Sequence, residues 1–130
     1  MAALISTKLY RDTIPTLQKG GAVQGPVGAG QELCHVDIPT SGTYEITISA
    51  VGSVKDGNPG NGGYVGFGDE TVSGGASLFQ MTTGMYGLGG LQRETIIMVK
   101  SAGSSVHASL VFSMPAGDSA SAFITARLVS

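Results

Sequence analysis

Residues 42–51, Gly-Thr-Tyr-Glu-Ile-Thr-Ile-Ser-Ala-Val, decide the fold class. Tyr44, Ile46, Ile48 and Ala50 alternate with Thr43, Glu45, Thr47 and Ser49. A period of two sends the first set to one face of an extended chain and the second set to the other. β-branched and aromatic side chains suit a pleated, half-buried surface. The stretch predicts a strand with one face in a core and one polar face.

The flanking sequence repeats this logic. Pro39-Thr40-Ser41-Gly42 has the composition of a turn. Before it, Gln31 to Ile38 predicts a strand with Cys34, Val36 and Ile38 on one face and Leu33, His35 and Asp37 on the other. After it, the polar loop at 56–63 leads to a short strand in which Tyr64, Gly66 and Gly68 alternate with Val65 and Phe67. Asp69 to Gly75 turns the chain into a strand at Ala76 to Thr82, and residues 84–90 form a flexible apolar loop. Gln92 to Ser101 contains Ile96, Ile97, Met98 and Val99, a run apolar on both faces. Such a strand is either buried on both sides or meets a partner on one. Val106, Ala108, Leu110, Phe112 and Met114 alternate with His107, Ser109, Val111 and Ser113. The chain ends with Ala122, Ile124, Ala126 and Leu128 alternating with Phe123, Thr125, Arg127 and Val129.

Short strands at this spacing, with turns of Gly, Pro, Asn and Asp and no helical period, describe an all-β protein. The expected architecture is a single-domain antiparallel β-sandwich, a jelly-roll of about eight strands. A partly open barrel and an immunoglobulin-like sandwich are the alternatives. Residues 31–130 make the sandwich. Residues 1–30 are an irregular N-terminal arm or edge strand. The alternation over residues 2–10 is poor, Arg11 to Lys19 holds Pro15 and at most a short helical turn, and Gly20 to Gly30 is loop or irregular strand.

The totals narrow the function. Asp, Glu, Lys and Arg make up 12% of the 130 residues, against about 25% in ordinary domains. Either part of the surface is covered by copies of the chain or a larger assembly, or the exposed faces are Ser and Thr. A net charge of −2 with no basic cluster argues against a nucleic-acid partner. No apolar run approaches the roughly 20 residues of a membrane-spanning helix, and the N-terminus lacks the pattern of a signal peptide. The lone Cys34 cannot form an intrachain disulfide, and its place in a strand predicts a buried free thiol.

No constellation carries catalysis. His35 and His107 each fall in a predicted strand. A cross-strand pair, with Asp37 or Cys34 nearby, would be the start of a metal site, but such sites need three or four converging ligands. The plainer reading, which the sequence favours, is two separate surface or groove histidines. Asp56, Asn58 and Asn61 invite a calcium loop, but Gly60, Asn61 and Phe67 stand where an EF-hand needs an oxygen ligand, Gly and Glu. Gly84, Gly87, Gly89 and Gly90 lack the helix and Lys-Ser/Thr pair of a phosphate loop. The carboxylates have no aromatic platform for a sugar, and Trp is absent. The expected catalytic, cofactor and metal residues are therefore none.

The segment Ile38-Pro39-Thr40-Ser41-Gly42-Thr43-Tyr44-Glu45-Ile46 resembles the turn and strand of the trimeric complement C1q and tumour-necrosis-factor-like jelly-rolls. The end, Ala122-Phe123-Ile124-Thr125-Ala126-Arg127-Leu128-Val129, is similar to their closing strand. In overall character the chain also resembles the small jelly-rolls that decorate bacteriophage capsids or form fibre tips. These resemblances imply a non-enzymatic virion structural protein, made in the host cytoplasm. It would be a homotrimeric capsid decoration, or cement, protein seated on the major capsid protein or another virion lattice, without nucleic-acid or membrane partners. A protein that binds only the assembled shell stabilises it by linkage. Residues 1–30 would be the shell-facing arm, and Gly84 to Leu91 and Ile96 to Val99 the subunit contacts. The alternatives are a phage tail or fibre component, and a glycan- or small-ligand-binding module using loops 56–63 and 84–90. A cupin-like metal enzyme is more distant, because it needs more than two histidines.

Overall fold

A computed structural model describes residues 15–53, 64–68, 79–82, 90–111 and 113–130. The polar loop at 56–63, most of the 84–90 loop and residues 1–14 lie outside these. Among the described residues there are eight strands: β1 (Leu17–Gln24), β2 (Glu32–Asp37), β3 (Gly42–Ser53), β4 (Tyr64–Gly68), β5 (Phe79–Thr82), β6 (Gly90–Lys100), β7 (Ser105–Leu110) and β8 (Ser119–Leu128). They form two four-stranded sheets, β1-β8-β3-β6 and β2-β7-β4-β5, with every pairing antiparallel.

Only β4 and β5 are both consecutive and paired. At every other step between these strands the chain crosses from one sheet to the other, which makes the sandwich a jelly-roll. The decisive strand, β3, is central, with β8 on one side and β6 on the other. Tyr44, Ile46, Ile48 and Ala50 are buried, as their alternation predicts. They face Val36, Ile38, Val65, Phe67, Val106, Ala108 and Leu110 of the second sheet and join Ile124 and Ala126 in one core. Fully burying a Val, Leu, Ile or Phe side chain contributes about 1.5–3 kcal/mol. The Tyr44 hydroxyl is not stranded in this core, because it donates to the Thr40 carbonyl at 2.7 Å.

Three expectations are sharpened or corrected. Of the alternatives for the N-terminal stretch, irregular arm or edge strand, Leu17–Gln24 takes the edge strand, with all eight residues paired to β8. Its glycines are there for close approach. A Cβ on Gly21 would lie 1.8 Å from the Leu33 carbonyl oxygen of β2, and one on Gly20 would lie 2.7 Å from the Phe123 ring. Pairing and close packing outweigh the low strand propensity of glycine here. Next, β7 ends at Leu110 rather than running on to Met114. Val111 is buried, and Met114 makes an isolated bridge to Val27. The last concerns Leu33, which turns inward rather than sharing the outer face with His35.

Candidate functional site

Leu33 turns inward because β2 carries a β-bulge. Glu32 pairs with Ser109 and Cys34 with Ala108, so one extra residue, Leu33, sits on the β2 side. Leu33 and Cys34 consequently both enter the core. The parity of the strand flips across the bulge. Glu32, which strict alternation would place beside Cys34, emerges on the outer face with His35 and Asp37. In the partner strand, His107 stands directly opposite His35. Directly opposite antiparallel residues have side chains on the same face at close range.

The two imidazoles therefore meet. Their centroids are 4.9 Å apart and the rings are stacked at 29°. This overturns the expectation of two separate histidines. Glu32 lies between them: His35 Nδ1 is 3.0 Å from Oε2, and His107 Nδ1 makes a short contact with Oε1. The distal nitrogens also have partners. His107 Nε2 is 2.8 Å from the Ser105 hydroxyl, and His35 Nε2 is 3.6 Å from Asp37 Oδ1. All three central side chains are partly exposed. On the far side of β7, Gly68 stands opposite His107 and Gly66 opposite Ser109, and neither adds a side chain.

Burial pushes the Glu32 carboxyl up. The hydrogen bonds from His107 and His35 and the charges of both rings pull it down and prevail, so its pKa lies below the ordinary carboxylate value. Cys34, one residue from His35, points the other way. Its thiol is free and buried, donating weakly to the Ala122 carbonyl at 3.7 Å. Burial, with a contribution from the Glu32 charge, pushes it up to about 11. No Cys–His dyad forms, as the strand geometry predicts.

The outer face of the other sheet is of a different kind. Ile97 and Val99 on β6 are 58% and 76% exposed, and Val51 on β3 and Phe123 on β8 are 41% and 43% exposed. The apolar run at 96–99 is not buried on both sides, because Ile97 and Val99 face outward. Between the apolar residues run a threonine rung, with Thr47 and Thr95 hydroxyls 3.1 Å apart, and a Glu45–Arg127 pair at 3.3 Å. The Phe123 ring borders a shallow depression of about 400 Å³ lined by Gly20, Ala22, Ser49 and Val51.

No family model and no curated protein matches this sequence. Solved structures do. The globular domain of zebrafish complement 1qA protein aligns with a TM-score of 0.58 at 10% identity, covering 89% of this chain and 98% of that one. The Eiger TNF of S. frugiperda aligns with a TM-score of 0.58 at 13% identity over 88% of this chain and 92% of that one. A chain of the cyanophage Pam1 capsid asymmetric unit aligns with a TM-score of 0.55 at 14% identity, covering 88% and 84%. A chain of the capsid of Helicobacter pylori bacteriophage KHP30 gives 0.55 at 14%, covering 88% and 89%. Strand order, sheet composition and these alignments agree: the chain folds as a C1q/TNF-like jelly-roll.

Proposed function

We propose that this chain is a non-enzymatic virion structural protein, a capsid decoration protein that stabilises an assembled shell as a homotrimer. The observation that carries the reading is the outer face of β1-β8-β3-β6. It combines four exposed large apolar side chains with small hydroxyl residues and few charges. Moving an Ile, Val or Phe from water into an interface is worth up to about 1.5–3 kcal/mol each. A symmetric set of copies meeting through this face would use that energy. The fold is one that trimerises in C1q and TNF proteins, and it recurs in the capsids of two phages.

Residues 17–24 belong to the sheet, so the shell-facing arm in this proposal shrinks to the residues before β1. Subunit contacts centre on Ile97, Val99 and Phe123. Binding only the assembled state would stabilise the shell by mass action. The test is light scattering at several concentrations, followed by addition of shells that lack the chain. A persistent trimer that binds the shells and raises their disruption temperature is expected. A monomer that binds no shell would sink the reading.

A further inference from the structure

We propose that Glu32, His35 and His107 form a binding site for a divalent transition-metal ion of the zinc type. Each offers one ligand atom, and these atoms lie within 4.8 Å of one another. A tetrahedral zinc ion with bonds of about 2.0–2.1 Å holds its ligands about 3.3 Å apart. Small side-chain rotations close the difference. Two imidazole nitrogens and one carboxylate oxygen make the donor set that zinc takes when a fourth position is left for water.

The positioning is built in at three levels. The bulge at Leu33 turns Glu32 onto the histidine face, and the direct pairing of His35 with His107 fixes the spacing of the rings. Both Nδ1 atoms face the same carboxylate. Each Nε2, turned away from the centre, has an oxygen within reach: Ser105 Oγ for His107 and Asp37 Oδ1 for His35. Metal-bound histidines characteristically donate the other ring N–H to such an oxygen, which fixes the tautomer that leaves the ligating nitrogen bare. In the metal-free state a ring protonated at Nδ1 donates to Glu32. In the bound state the proton moves to Nε2, and the cation takes the two freed lone pairs and the carboxylate.

Cys34 is excluded from the donor set by geometry. It is on the core face of β2, and its weak hydrogen bond is to β8. The exclusion matters because a thiolate would otherwise be the preferred soft ligand.

The test uses the full chain without an affinity tag, stripped with chelator and titrated with Zn²⁺ by calorimetry and with Co²⁺ by visible absorption. One equivalent per chain is expected to bind, with a cobalt spectrum of low coordination number and no thiolate charge-transfer band. Zn²⁺ is expected to raise the melting temperature of the wild type. His35→Gln, His107→Gln and Glu32→Gln should each abolish the one-equivalent binding. Ser105→Ala and Asp37→Asn should weaken it about 10- to 100-fold, and Cys34→Ala should leave it unchanged. Melting curves in chelator identify any variant that has failed to fold. If one does, the Ser105→Ala and Asp37→Asn affinities carry the decision. Absence of saturable binding, a thiolate band, or binding indifferent to these ligand and positioning variants would overturn the proposal. None of these readouts depends on trimer formation or on a shell.

Discussion

The two outer faces of this sandwich are both made from antiparallel strands, yet they present opposite chemistry. On β1-β8-β3-β6 the outward positions are Val51, Ile97, Val99 and Phe123 set among threonines. On β2-β7 they are Glu32, His35, Asp37, Ser105 and His107, each in contact with another. The exposed apolar side chains of the first face gain free energy by being covered, although a threonine rung and a Glu45–Arg127 pair run between them. A polar cluster whose members satisfy one another gains nothing from being covered by apolar surface, and it offers directed lone pairs to a small ligand. That difference is why a protein partner is proposed for one face and an ion for the other.

The change expected to do most damage removes the frame that both faces share. Gly21 is where edge strand β1 approaches the bulge of β2, and a Cβ there would lie 1.8 Å from the Leu33 carbonyl oxygen. Backbone cannot yield as a side-chain tip can. Gly21→Val is expected to cost about 3 kcal/mol or more, at the upper end of overpacking penalties. Gly28, which has open space around its Cα, is the control. Gly28→Ala should stay within about 0.5 kcal/mol. Urea unfolding of the two variants checks both statements. Equal stability would mean that β1 does not pack on the bulge.

Next in size is the separation of the two faces. Ile97→Asp and Val99→Asp put a charge on side chains that are exposed in the single chain. The fold should survive, while a trimer contact at this position loses about 2 kcal/mol or more per subunit. Light scattering should show the mass falling toward that of one chain, with the circular dichroism of the wild type retained. His107→Gln should leave the mass unchanged. If the histidine variant dissociates the assembly and the β6 variants do not, the assignment of faces is reversed.

These two faces were not equally legible in the sequence. The core strands announce themselves because each has one face in the interior: Tyr44, Ile46 and Ile48 in β3, and Ala122, Ile124 and Ala126 in β8, alternate as burial requires. The run at Ile96 to Val99 also carries its message, since Ile97 and Val99 break the polar half of the pattern. β1 is only half legible, as an edge strand or an irregular arm, because its residues answer to close approach and Gly20 and Gly21 look like loop. The histidine site was illegible for two reasons. The pairing of β2 with β7 is long-range, so nothing local brings His35 to His107. The bulge at Leu33 then reverses the parity by which Glu32 would be placed. A signal was present in the sequence: Leu33 and Cys34 are two consecutive apolar residues where a half-buried strand should have one. Consecutive apolar positions next to Glu and His mark a place to test for a bulge.

A smaller effect distinguishes the polar face by its response to acid. The Glu32 carboxyl is held below its ordinary value of 4.5, against the opposing push of burial, by the two histidines. A carboxyl with a lower pKa in the folded state contributes stability above its unfolded pKa and loses it as the pH falls through the folded value. In chelator, wild type should therefore lose stability more steeply below about pH 4.5 than Glu32→Gln. Melting temperatures across the acid range decide it, and parallel curves throughout would mean that the histidines do not stabilise the charged carboxylate.

The finest division lies within β2, between neighbours. His35 is partly exposed, while Cys34 faces the core and its thiol is pushed up to about 11 from 9.0. Two pH units remove about a hundredfold of the reactive thiolate, and thiolate is the nucleophile. At pH 8 an aromatic disulfide reagent should label the native thiol at least about a hundredfold more slowly than the urea-unfolded chain. Steric protection by β8 adds to the acid–base effect, so the observed ratio sets a limit on how often β2 and β8 part. Modification of His35 by diethyl pyrocarbonate should proceed in the same native sample. Fast thiol labelling beside slow histidine modification would require Cys34 outward and His35 inward. That would move the bulge away from Leu33 and dissolve the site with it.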